Sequence, residues 1–143
     1  EGIYADWCLV ERERLARLRL RAMGQVMAAC LHRQAFADAL EWGQAILAED
    51  PLREEVHRAL MRCYQQLGQH GRAIAQFQQC AQLLQDELAV LPLPETIAAY
   101  QQIITDRLQS LPTGQAGAAV QTAFANFQQA AQHLNNLLEQ KQE

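Results

Sequence analysis

The clearest pattern of apolar and polar positions runs from Glu54 to Leu88. Val56, Leu60, Cys63, Tyr64 and Leu67 recur at steps of three and four. After a short break, Ala73, Ile74, Phe77, Cys80, Ala81 and Leu84 resume the same steps. That spacing places one apolar stripe on each of two helices. Gly68 and Gly71 mark the turn, because glycine takes the left-handed backbone of a helix end at little cost. The expected unit is a helical hairpin with its two stripes facing each other.

The rest of the chain reads as more helix. A long first helix is expected from Asp6, as N-cap, to about Arg33. Its core stripe would be Leu15, Leu18, Ala22, Val26 and Ala29, widened by Met23 and Cys30. At about 1.5 Å per residue it would span about 42 Å, so its first turns should reach past a hairpin arm. A second helix covers about Phe36–Ala48, with Phe36, Leu40, Gly43, Ile46 and Leu47 inward. Asp50-Pro51 then reads as N-cap and first residue of the third helix. Ala89–Pro94 is too proline-rich for helix. Pro94-Glu95-Thr96 opens a fifth, carrying Ile97, Tyr100, Ile104, Leu108 and Leu111.

Residues 112–117 form a breaker stretch and the expected linker between a repeat domain, 1–111, and a C-terminal helix, 118–143. The stripe Val120, Phe124, Phe127, Ala131, Leu134, Leu138 on that sixth helix, about 118–140, is a short heptad seam. It is expected to be a cap paired with the fifth helix, or else a homodimer seam or a linker to the next domain.

The hairpin at Glu54–Leu88 resembles a tetratricopeptide repeat, with Leu60, Tyr64, Gly68, Ala73 and Phe77 in the order of that roughly 34-residue motif. One period earlier lies a weaker copy in the same phase: Val26, Cys30, Gln34, Ala39 and Gly43. The expected fold class is therefore all-α, an α–α superhelix of tetratricopeptide-like hairpins with about six helices.

Composition narrows the function. The net charge of −4 and the pI near 5.6 argue against direct nucleic-acid binding by this chain. No apolar run is long enough for a membrane-spanning helix. Cys8, Cys30, Cys63 and Cys80 show neither CxxC pairing nor histidines at metal spacing, so reduced, buried thiols in a cytoplasmic protein are expected. Phosphate-binding glycine loops, HExxH and GxSxG are absent from the sequence. Neither a catalytic site nor a metal or cofactor is expected. The start at Glu1 reads as a piece of a longer protein.

Three strings carry a more specific resemblance. Tyr4-Ala5-Asp6-Trp7-Cys8-Leu9-Val10-Glu11-Arg12-Glu13-Arg14-Leu15 is the first. Asp50-Pro51-Leu52-Arg53-Glu54-Glu55-Val56-His57-Arg58, with Leu60-Met61-Arg62 and Tyr64, is the second. The third is Leu88, Val90, Pro92 and Pro94-Glu95-Thr96, with Ala89 standing where a glycine is usual. Together, over about residues 3–108, they resemble the bacterial transcriptional activator domain of antibiotic-regulatory-type regulators. The resemblance implies a tetratricopeptide-like domain that follows a winged-helix DNA-binding domain and works through protein contacts, with that domain and with transcription machinery, and not through catalysis.

Two sets of residues are candidates for such contacts. Trp7, Arg12 and Arg14, in a charged block at the start of the first helix, are candidates for docking a neighbouring domain. A solvated ion-paired face, with Trp7 packed at the helix end, is the competing reading. Glu55, Arg58, Arg62, Gln65 and Gln66 on the third helix, with Arg21 and His32 on the first, would line a groove for an acidic partner segment. Arg58 and Arg62 share a helix face and arginine suits carboxylates; an intrachain pair of Arg58 with Glu54 or Glu55 is the alternative. Two other functions stay open: a small-ligand sensor, with room made by Gly24 and Gly43, and a spacer or dimeriser built on the sixth helix.

Overall fold

The hydrophobic steps of the chain become helices α1 (Gly2–His32), α2 (Phe36–Glu49), α3 (Glu54–Gln66), α4 (His70–Leu88) and α5 (Pro94–Gln109). The computed structural model describes residues 2–112, 117, 118, 120–123, 125, 126, 129, 130 and 132. The described residues from Gly117 to Gln132 are helical, as expected of a sixth helix, and no strand occurs among the described residues. Phe124, Phe127, Ala131, Leu134 and Leu138, on which the cap and seam readings turn, lie outside the described residues.

The chain forms two units, Glu1–Gln101 and Gln102–Glu143. The first holds α1 to α4 and the opening turns of α5. Its helices follow one another in a row, α1 against α2, α2 against α3 and α3 against α4. The core runs along that row. Met23, Met27 and Cys30 come from α1, Ala39 and Ile46 from α2, Leu60, Met61, Cys63 and Tyr64 from α3, and Ala73, Cys80 and Leu84 from α4. Full burial of Ile46 and Leu60 contributes roughly 1.5–3 kcal/mol each.

The two hairpins share the phase read from the sequence. Gln34 and Gly68, one repeat apart, both take the left-handed backbone, at φ 58° and 73°. Cys30 and Tyr64 are both buried, and so are Ala39 and Ala73. Phe77 is half-buried and stacks on Tyr100 with ring centroids 4.2 Å apart. Gly71 falls inside the first turn of α4, so the turn is made by Gly68 alone of the two glycines.

Three local expectations are corrected. Helix α1 begins at Gly2, ahead of Asp6. Asp50 is the C-cap of α2, its N–H bonded to the Ile46 carbonyl at 2.8 Å, and Arg53 is the N-cap of α3. Pro51 lies in the turn between them because its carbonyl is engaged by His57 at 2.8 Å. On α1, Leu15, Leu18, Ala22, Val26 and Ala29 are exposed, and the adjacent line Met23–Met27–Cys30 is the one that meets α2.

Candidate functional site

At the N-terminus of α3, the second and third signature strings meet. Glu54 Oε1 accepts hydrogen bonds from the Leu93 N–H at 2.5 Å and from the Thr96 hydroxyl at 2.6 Å. Arg58, one turn along α3, donates from Nη1 to Thr96 Oγ1 at 3.1 Å. Thr96 is fully buried under these partners. The carboxylate thus caps the opening of α5, where the first backbone N–H groups have no intrahelical acceptor.

A second polar cluster lies one residue away. His57 is almost wholly buried. Its Nε2 bonds the Pro51 carbonyl, and its Nδ1 accepts from Gln76 Nε2 at 2.6 Å. Both ring nitrogens are used by one neutral tautomer, N–H on Nε2. Burial lowers its pKa, against opposing pulls from the Pro51 carbonyl, Glu54 and Glu55. Gln44 on α2 bonds the Tyr64 hydroxyl at 3.1 Å, tying the hairpins together.

These clusters are structural. Burial pushes the Cys63 thiol up to about 11 and the Cys80 thiol to about 12, so both stay protonated and unreactive at neutral pH. The four cysteines are free thiols. Gly43 makes no pocket: Leu60 Cδ2 and Cγ of α3 and Met27 Cε of α1 converge where its Cβ would stand, the last at 3.1 Å.

The expected contact residues fall into separate places. Trp7, Arg12 and Arg14 are exposed on α1, with Trp7 at 62%. Trp7 tilts against Tyr4 at 6.4 Å, and Arg14 pairs with Glu11 at 3.2 Å. Arg21 and His32 are exposed further along α1. Glu55, Arg62 and Gln66 are exposed on α3 and Gln65 is half-buried. Arg58 is half-buried and reaches Thr96, not Glu54 or Glu55. Helices α1 and α3 make no close backbone approach to each other.

The opening turns of α1 reach past its hairpin partner, as the length of the helix implied, and carry an exposed apolar surface. Arg19 on α1 pairs at 2.9 Å with Glu49, the last residue of α2. Residues 2–18 of α1 therefore extend about 25 Å beyond α2. This overhang exposes Ile3, Tyr4, Trp7, Leu9 and Val10. The signal was present in the tip's apolar residues and in the expected helix length. Among the described residues, no helix is long and apolar enough to cross a membrane.

The model of the bacterial transcriptional activator domain matches residues 1–104. The chain is also similar to the regulatory protein AfsR of Streptomyces coelicolor, 29% identical over 103 residues, which are 72% of this chain and 10% of that protein. The chain thus spans about a tenth of that relative's length. No solved structure gives a significant match. The match over most of the chain, and the Glu54–Thr96 contact between its signature strings, identify the chain as a member of the bacterial transcriptional activator domain family, a regulatory domain of transcription regulators.

Proposed function

We propose that this domain is a non-enzymatic protein-contact module of a cytoplasmic transcription regulator. It transmits between a DNA-binding domain earlier in the parent chain and a further protein partner. The observation that carries the reading is the overhang of α1. An isolated helix extension with Ile3, Tyr4, Trp7 and Val10 exposed is unstable without a partner surface, since short helices owe their stability to packing. Its occupant in this reading is the DNA-binding domain of the parent regulator, supported by membership of a family of transcription regulators and by the exposed apolar tip. Trp7 is the anchor, with Arg12 and Arg14 at the rim, in the pattern of buried aromatic centre and charged border common to interfaces.

The exposed α3 face, with Glu55, Arg62, Gln65 and Gln66 around the half-buried Arg58, is the second contact surface and takes an acidic segment. Arg21 and His32 lie apart from that surface, on α1. The experiment is to express the full regulator with Trp7→Ala and, separately, with Arg62→Glu. The first should uncouple the domains, visible as new protease cleavage ahead of α1 and loss of promoter activation. The second should lower activation with interdomain protection intact. Full activation by both folded variants would overturn the reading.

A further inference from the structure

Among the described residues, the first unit exposes two apolar strips, one along α1 and one where α4 runs into α5. On α1, Leu15, Leu18, Ala22 and Val26 follow helical spacing on an exposed face adjacent to the buried line of Met23, Met27 and Cys30. Arginines border this strip: Arg14, Arg17 and Arg21, all exposed. In the second strip, Leu88, Val90, Leu91 and Leu93 are about half exposed. Asp86, Glu87 and Glu95 border them, and residues 73–106 contain no arginine, lysine or histidine. The second strip is held in one shape. Ala89 caps α4, Val90 N–H bonds the Leu84 carbonyl, and Leu93 N–H bonds Glu54.

Stacked helical hairpins need polar outer faces where the stack ends. The α1 strip, at one end of the row, is apolar; the Leu88–Leu93 strip is apolar too, and the borders of the two carry opposite charge. The two strips do not meet within the first unit, where α1 makes no close backbone approach to α3 or α4. Three helix-to-helix steps of about 8–10 Å each lie between α1 and α4.

We propose that the arginine-bordered strip of α1 receives the acid-bordered Leu88–Leu93 strip of a second copy of this chain. The contact joins two different patches, so it is heterologous, and each pair leaves one strip of each kind free. Apolar burial supplies the affinity, while the facing charges set orientation and make the contact salt-sensitive. The tip of α1, residues 3–10, is left free for the domain contact proposed above.

The test is sedimentation velocity of the 143-residue chain over a concentration series, with Leu18→Asp and Leu91→Asp. Both side chains are exposed, and circular dichroism checks the fold. The wild type should gain mass progressively with concentration, and each variant alone should stay monomeric. An equimolar mixture should form a dimer and stop there, because each variant supplies the strip that the other lacks. Should either variant lose helicity, Arg17→Glu with Arg21→Glu and, separately, Asp86→Lys with Glu87→Lys should each stay monomeric alone, and their mixture should gain mass progressively like the wild type, because both contacts between the two variants are then complementary in charge. A monomeric wild type at every concentration, or variants that associate like it, would overturn the proposal. So would a symmetric α1–α1 contact, which leaves Leu91→Asp associating and gives no rescue in the mixture.

Discussion

Glu54 and Thr96, separated by 42 positions, share a 2.6 Å hydrogen bond that fixes the start of α5 on the start of α3. The same carboxylate oxygen holds the Leu93 N–H, and Arg58 closes the triangle on Thr96 Oγ1. Two signature strings far apart in sequence are therefore one structural element. Glu54→Ala should leave a buried hydroxyl and a backbone N–H without their acceptor, at a cost of about 1–3 kcal/mol. Thr96→Ser should retain most of the stability and Thr96→Val should not. Chemical denaturation of the three variants checks the order.

Gly43 is a contact point, so Gly43→Ala should drive a methyl into Leu60 and Met27. The methyl meets side-chain atoms that can shift in part, and overpacking of this kind costs about 1–3 kcal/mol. Gly24, which has open space around its Cβ position, is the control. Gly24→Ala should be neutral or stabilising, because alanine favours helix.

Ala89 ends α4 in the left-handed region at φ 51°, a backbone that favours glycine. A Cβ in that region costs about 1–2 kcal/mol. Ala89→Gly should raise the thermal midpoint, with a gain of about 1 kcal/mol after the entropy of the unfolded glycine is counted. Unchanged or lowered stability would contradict the strain assigned to this cap.

Which of these features the sequence disclosed follows from their range. The hairpin of α3 and α4 was legible because Leu60, Tyr64, Gly68 and Ala73 follow local periodicity. The left-handed Gln34 was implied by its phase with Gly68. Helix α1 carries apolar residues on two faces, and periodicity alone cannot say which face a neighbour covers. Leu15, Leu18 and Val26 were read as core on that account and are exposed. Asp50-Pro51 has the local signature of a helix start, and a nonlocal bond from His57 to the Pro51 carbonyl belongs to the turn it forms instead. The Glu54–Thr96 bond had no sequence signal except membership of the two strings that carry the family resemblance. Trp7, Arg12 and Arg14, read as docking candidates, are exposed; the reach of α1 past its hairpin followed from its length, while where it leaves α2 depends on the Arg19–Glu49 pair.

His57 gives the domain a defined response to acid. Its folded pKa lies below the ordinary 6.5, chiefly through burial. The folded state therefore binds the proton less readily than the unfolded chain. Stability is full above the unfolded value and declines as pH falls below about 6.5 toward and through the folded value. A proton on Nδ1 would face the Gln76 amide N–H, so Gln76 must turn its oxygen inward. Denaturation midpoints taken between about pH 7 and pH 5 should fall for the wild type, and less for His57→Gln, which has no proton to gain there.

The central claim is the proposal that the overhang of α1 is a contact surface for a DNA-binding domain of the parent regulator. Hydrogen exchange of residues 2–18, in this domain alone and in the full regulator, measures it directly. The account predicts rapid exchange in the isolated domain and strong protection around Trp7 and Val10 in the full chain, with α3 and α4 protected in both. Equal exchange of residues 2–18 in the two proteins would contradict it.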